Sequence, residues 1–150
     1  MPSYYDEKAK CRVGEMDEDQ FFAECDQGSG PFFKSLMAAW TKAGGNLKWG
    51  AGGVGLRTLI GGKGKDAKVV GVCFLAPQFA GKHDRIELAC TRLAKQIGES
   101  AMKSLQAGLR EAAGENVKGT TMVSVVHPGQ LPAKSQKALI AALLTVAKNS

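Results

Sequence analysis

Apolar positions recur along the chain at two spacings, and the switches between them divide it into elements. Phe33, Leu36, Met37 and Trp40 lie three and four residues apart, which predicts one face of a helix. Ser29 or Gly30 can cap that helix, Pro31 suits its first turn, and Gly44-Gly45 ends it. Upstream, Asp17, Glu18 and Asp19 precede Phe21, Phe22 and Cys25, a pattern for a short helix with acids in its first turn. Residues 1–16 show no period and read as a loose arm. After the glycine pair the spacing changes. Leu47-Lys48-Trp49 and residues 54–60 read as short strands around a glycine-rich bend, and residues 61–66 as a turn. Residues 68–76 (KVVGVCFLA) form the strongest strand, apolar on both faces and stopped by Pro77. Residues 85–91 alternate, with Ile86, Leu88 and Cys90 on one face and Arg85, Glu87 and Thr91 on the other. Met102, Leu105 and Leu109 mark a helix over 99–113 that Gly114 stops. Residues 120–126 are β-branched and strand-like, and His127-Pro128-Gly129 ends them. Pro132 opens a last helix carrying Leu139, Ile140, Leu143, Leu144 and Ala147.

This order predicts an α+β fold: a mostly antiparallel sheet of about four to five strands with helices packed on one face. Residues 1–26 form an acidic N-terminal arm with a short helix, and residues 27–150 a single α+β domain. Strict alternation along 68–76 puts Val70, Val72, Phe74 and Ala76 toward the helices and Val69, Cys73 and Leu75 on the opposite face. That second apolar face needs a cover, either the segment with Phe21 and Phe22 or a second copy of the chain. Val69, Cys73 and Leu75 are therefore candidate interface residues for a homodimer.

Charge divides the chain further. Residues 1–26 carry a net of −5 and residues 27–150 a net of +11, giving +6 overall. So basic a body is suited to nucleic acid or an acidic partner, or it is a lysine-rich solvated surface. At 150 residues and 44% apolar composition, the chain is sufficient for one hydrophobic core. No stretch approaches the ~20 apolar residues of a membrane span. The acidic N-terminus does not resemble a secretory signal, and no C-x-x-C pair links Cys11, Cys25, Cys73 and Cys90. The expected location is a reducing cytoplasm.

Residues 50–55 spell G-x-G-x-x-G and resemble the dinucleotide fingerprint of the medium-chain dehydrogenases. The resemblance implies a nucleotide-binding enzyme using this loop. Its chemistry requires a buried strand before the first glycine, a helix after the last, and an acid ending the next strand. Residues 44–49 hold too few apolar positions. Only 56–60 separate Gly55 from the next glycine break, and residues 68–76 end without an acid. The glycines read instead as a bend between strands. No phosphate-cradling G-x-x-x-x-G-K-[S/T] motif is present.

The stretch from Pro31-Phe32-Phe33-Lys34-Ser35-Leu36 to Lys48-Trp49-Gly50, then Gly55-Leu56-Arg57, carries a second resemblance. The stretch is similar to small uncharacterised bacterial α+β domains in which a helix precedes a (K/R)-W-G-x-x-G-x-x-L hairpin. It implies the fold and no activity. His83 beside Asp84, with His127, offers a base and an orienter, although adjacency in sequence makes Asp84 read better as a turn residue. No coherent catalytic set, metal site or cofactor emerges. The strongest cluster is Trp49 with Lys48, Arg57, Lys63, Lys65, Lys68 and Lys82, cations for phosphates beside an aromatic for base stacking. The competing reading puts Trp49 in the core and leaves the lysines to keep a sheet edge soluble. The sequence thus points to a non-enzymatic binding module, homodimeric through its second sheet face, with nucleic-acid binding by a basic face as the alternative.

Overall fold

The computed structural model describes residues 2–26, 28–60, 68–78 and 83–148. Two short strands, β1 (Tyr4–Asp6) and β2 (Cys11–Val13), pair as an antiparallel ribbon ahead of helix α1 (Glu18–Glu24). The Asp17 side chain caps α1 by accepting from the Gln20 backbone N–H at 2.8 Å. Helix α2 (Ser29–Lys42) follows and stops where Gly44 takes a positive φ of 96°. Strands β3 (Asn46–Trp49), β4 (Val54–Ile60), β5 (Lys68–Ala76) and β6 (Arg85–Ala89) come next. Helix α3 (Cys90–Ile97) continues directly from β6, and Gly98 at φ 94° separates it from α4 (Glu99–Ala113). The chain ends with β7 (Val117–Lys118), β8 (Met122–Val126) and α5 (Ala133–Lys148).

The main sheet is antiparallel throughout, in the order β3-β4-β5-β6-β8-β7. Its six strands exceed the four to five expected, because β7 is too short to leave a periodic signal. Helix α3 was also absent from the expected order. Cys90 served the alternation of β6, yet Cys90, Leu93, Ala94 and Ile97 already carry helical spacing.

A β-bulge corrects the expected facing of β5. Leu56 pairs with Cys73 and Arg57 with Gly71, so Val72 is an extra residue on β5. One added residue reverses the alternation beyond it. Cys73 and Leu75 therefore share the buried side with Val70 and are only 6% and 0% exposed. They belong to the core, and of the three candidate interface residues only Val69 is exposed. Phe74, expected inside, pairs with Gly55 and stands on the opposite face.

The core fills the space between the sheet's buried side and the helices. Leu36 and Trp40 of α2, Leu105 and Leu109 of α4, and Leu139 and Leu143 of α5 meet Leu56, Leu75, Ile86, Leu88, Val123 and Val125. Trp40 donates its indole N–H to the Arg57 carbonyl at 2.9 Å, so its polar atom is satisfied inside. Gly45 is required beneath it, since a Cβ there would overlap the indole.

The N-terminal segment is fastened rather than loose. Met16 donates its backbone N–H to the Gly50 carbonyl at 2.9 Å, and the Ser3 hydroxyl donates to the Ala51 carbonyl. Arg12 grips Glu24 with both terminal nitrogens, at 2.6 and 2.9 Å. Phe21 is fully buried, edge-on to Phe33 at 5.4 Å and Trp49 at 5.7 Å. Phe33 and Trp49 lie toward the core, so this segment does not cover the open face.

Candidate functional site

On the sheet face away from the helices, strand register aligns Lys48, Gly55, Phe74, Glu87 and Ser124 in a row across β3, β4, β5, β6 and β8. A parallel row holds Asn46, Arg57 and Gly71. Gly55 and Gly71 bear no side chain, which leaves a trough of about 340 Å³. Half-buried Phe74 lies in it, and Lys48, Arg57, Arg92, Glu87 and Met122 line its sides. Arg92 arrives from α3. Strand β6 pairs with β5 only along Phe74–Ala76, and α3 packs against β5 as well as β6, so its first turn borders the trough beside Gly71 and Val72.

Three cations and one carboxylate thus surround an aromatic ring. Glu87 is itself engaged, because Arg85 Nε donates to its Oε1. Nearby on the same face, Leu59 and Val69 form a cross-strand pair, 46% and 47% exposed, and Met122 is 54% exposed. These are large apolar side chains in water beside a basic trough.

The structure sorts the sequence-derived cluster. Lys48 and Arg57 come together because β3 and β4 form a hairpin. Trp49 lines one end of the trough but turns its ring against Phe21, as a core residue does. Lys68 pairs with Ile60 and lies on the helix side of the sheet, apart from Lys48 and Arg57. Lys63, Lys65 and Lys82 fall outside the described residues. Phe74, Glu87 and Arg92 were missed: they converge from separate elements, and only strand order brings them together.

Residues 50–53 are the β3–β4 hairpin turn, with Gly50 N–H donating to the Gly53 carbonyl at 2.9 Å, and Val54 and Gly55 already belong to β4. A strand follows Gly53, so no helix N-terminus is presented to a pyrophosphate.

A second polar cluster is built around Asp84, which is 0% exposed. Its Oδ2 accepts from the Asp26 N–H at 3.0 Å, its Oδ1 accepts from the Gln78 N–H, and its carbonyl accepts from the His127 N–H at 2.9 Å. Asp26 Oδ1 accepts from the Gly28 and Ser29 N–H groups at 3.0 and 2.8 Å, occupying the α2 N-terminus. Burial and the neighbouring Asp26 carboxyl hold the Asp84 carboxyl above the usual range. Asp26 resists its own partial burial through hydrogen bonds from the Asp84 side and the Ser29 and Gly28 amides, and falls below that range. Asp84 thus ties the segments around residues 26, 78 and 127 together, a structural node rather than a turn residue. The rings of His83 and His127 lie 4.3 Å apart at its edge.

Cys25 is pushed up to about 12 by burial and by Asp84, Asp26 and Glu24, and burial alone raises Cys73. Neither thiol is an available nucleophile at neutral pH. Among the described residues, no three His, Cys, Asp or Glu side chains are grouped to hold a metal, and no helix is long and apolar enough to cross a membrane. Comparison with protein-family models, with curated proteins and with solved structures found no match.

Proposed function

We propose that this protein binds single-stranded nucleic acid across the open face of its sheet. The observation that carries the reading is the convergence of Lys48, Arg57 and Arg92, from three different elements, around the half-buried ring of Phe74. Cations supply the phosphate contacts that dominate affinity, and an aromatic face supplies stacking that every base can use. Phe74 lies inside a trough, where only an unstacked base can reach it, so a single strand fits and an intact duplex does not. The chain's charge agrees, with +11 concentrated in residues 27–150.

A homodimer through the same face is the second reading, favoured by exposed Leu59, Val69 and Met122. A two-fold interface presents the same patch twice, however, and would set the cations of one trough against those of the other. That repulsion ranks an anionic partner first. Light scattering at tens of micromolar separates the two, since a stable dimer under these conditions displaces the nucleic-acid reading from this face. The binding reading is tested directly with Lys48→Glu/Arg57→Glu. Charge reversal abolishes oligonucleotide binding while leaving the fold intact; unchanged affinity overturns the assignment.

A further inference from the structure

A trough built only for phosphate has no use for a carboxylate, yet Glu87 lines this one among three cations. Register places Glu87 directly opposite Phe74, on the neighbouring strand and the same face. Cross-strand partners stand about 5 Å apart at their Cβ atoms. A base stacked on the Phe74 ring therefore lies with an edge within reach of the Glu87 side chain. Arg85 Nε occupies Oε1, which fixes the carboxylate's orientation. Each carboxylate oxygen has two lone pairs, so Oε2, and the remaining capacity of Oε1, are available to a second donor.

Resting on the single-strand reading above, we propose that Glu87 selects the base held on Phe74 by accepting hydrogen bonds from its Watson–Crick edge. An ionised carboxylate donates nothing, so it recognises adjacent donors and repels acceptors. Guanine presents two neighbouring donors, its ring N1–H and its amino group, and matches best. Cytosine and adenine each offer one amino group beside an acceptor. Thymine and uracil place a single N–H between two carbonyl oxygens and match worst. The trough, at about 340 Å³, is the size of one nucleotide rather than several, so selection acts at a single position. Arg57 and Arg92 are then left for the flanking phosphates.

The experiment is fluorescence anisotropy at low salt, using labelled oligo(dT) and an alternating dT/dG oligomer of equal length, with the whole protein and with Glu87→Gln. A good base contact discriminates by roughly tenfold. The wild type binds the guanine-containing strand about tenfold more tightly than oligo(dT). Glu87→Gln narrows the gap to about threefold or less, since an amide donates and accepts and tolerates either edge. Equal affinity of the wild type for both strands, or a preference that survives Glu87→Gln, overturns the selection while leaving nucleic-acid binding in place. No binding of either strand removes the single-strand reading and this inference with it. Phe74→Leu keeps an apolar side chain in the trough and weakens both strands, and circular dichroism on each variant confirms that it folds.

Discussion

Replacing Asp84 with alanine removes the acceptor for two backbone N–H groups, those of Asp26 and Gln78, at a fully buried position. A buried donor left without a partner costs about 1–3 kcal/mol. Two such losses come to roughly 2–6 kcal/mol. Removing a desolvated carboxyl beside Asp26 returns part of that, so the expected net loss is about 2–4 kcal/mol. The pH dependence carries a separate signature. The folded-state value of Asp84 is raised, so its stabilising contribution is complete below the unfolded carboxylate value of ~4 and is lost as pH rises toward the raised value. Asp26 is lowered and acts oppositely: its contribution is present above ~4 and is lost as pH falls below it. The pair therefore favours folding most near ~pH 4, within whatever slope the other carboxylates impose. Urea unfolding at closely spaced pH values measures both effects. Asp84→Asn removes the decline above ~pH 4, and Asp84→Ala lowers the whole curve. A neutral Asp84→Ala, or an Asp84→Asn profile parallel to wild type, refutes the assignment of Asp84 as a buried clamp whose carboxyl is held above the usual range.

Other substitutions test the account elsewhere. Gly53 has φ 153°, and a Cβ there would collide with the Leu75 carbonyl oxygen, so Gly53→Ala destabilises by about 2 kcal/mol or more and lowers Tm in a thermal melt. Trp40→Phe leaves a cavity where the larger, fully buried indole packed and also deprives the Arg57 carbonyl of its indole donor, costing about 2–4 kcal/mol in denaturant unfolding. Cys25, held at about 12, resists iodoacetamide in the native protein near neutral pH, whereas exposed Cys11 is alkylated; mass spectrometry after limited labelling distinguishes the two. Phe74→Ala weakens single-strand binding by about 1–3 kcal/mol, the loss of one stacked base, with only a small shift in Tm.

What the sequence revealed depended on whether a feature is local. The β5 strand was legible to the residue because seven of its nine positions are apolar and the run ends at Pro77, and α4 because Met102, Leu105 and Leu109 share one stripe between glycines. The bulge at Val72 was not legible. It exists only in the pairing of β5 with β4, and it transferred Cys73 and Leu75 from an expected interface into the core. The N-terminal strands were hidden because each has three residues, and their hold on the body comes from Ser3, Met16 and Phe21, which no period connects. The same distinction governs the trough. Lys48 and Arg57 are joined by a hairpin, so sequence proximity found them. Phe74, Glu87 and Arg92 needed the strand order β4-β5-β6 and a helix that sequence alternation had concealed. Asp84 looked like a turn residue because its partners, Asp26 and His127, lie far away in sequence.

The most direct measurement is the salt dependence of single-strand binding by the wild type and by Lys48→Glu/Arg57→Glu. Contacts by Lys48, Arg57 and Arg92 to three phosphates give a slope of about −2 in log affinity against log salt, at roughly −0.7 per phosphate. Micromolar binding by the wild type at low salt with that slope, and its loss in the double variant, is the expected result. A flat titration of the wild type, or a double variant with the same affinity and slope, would contradict it.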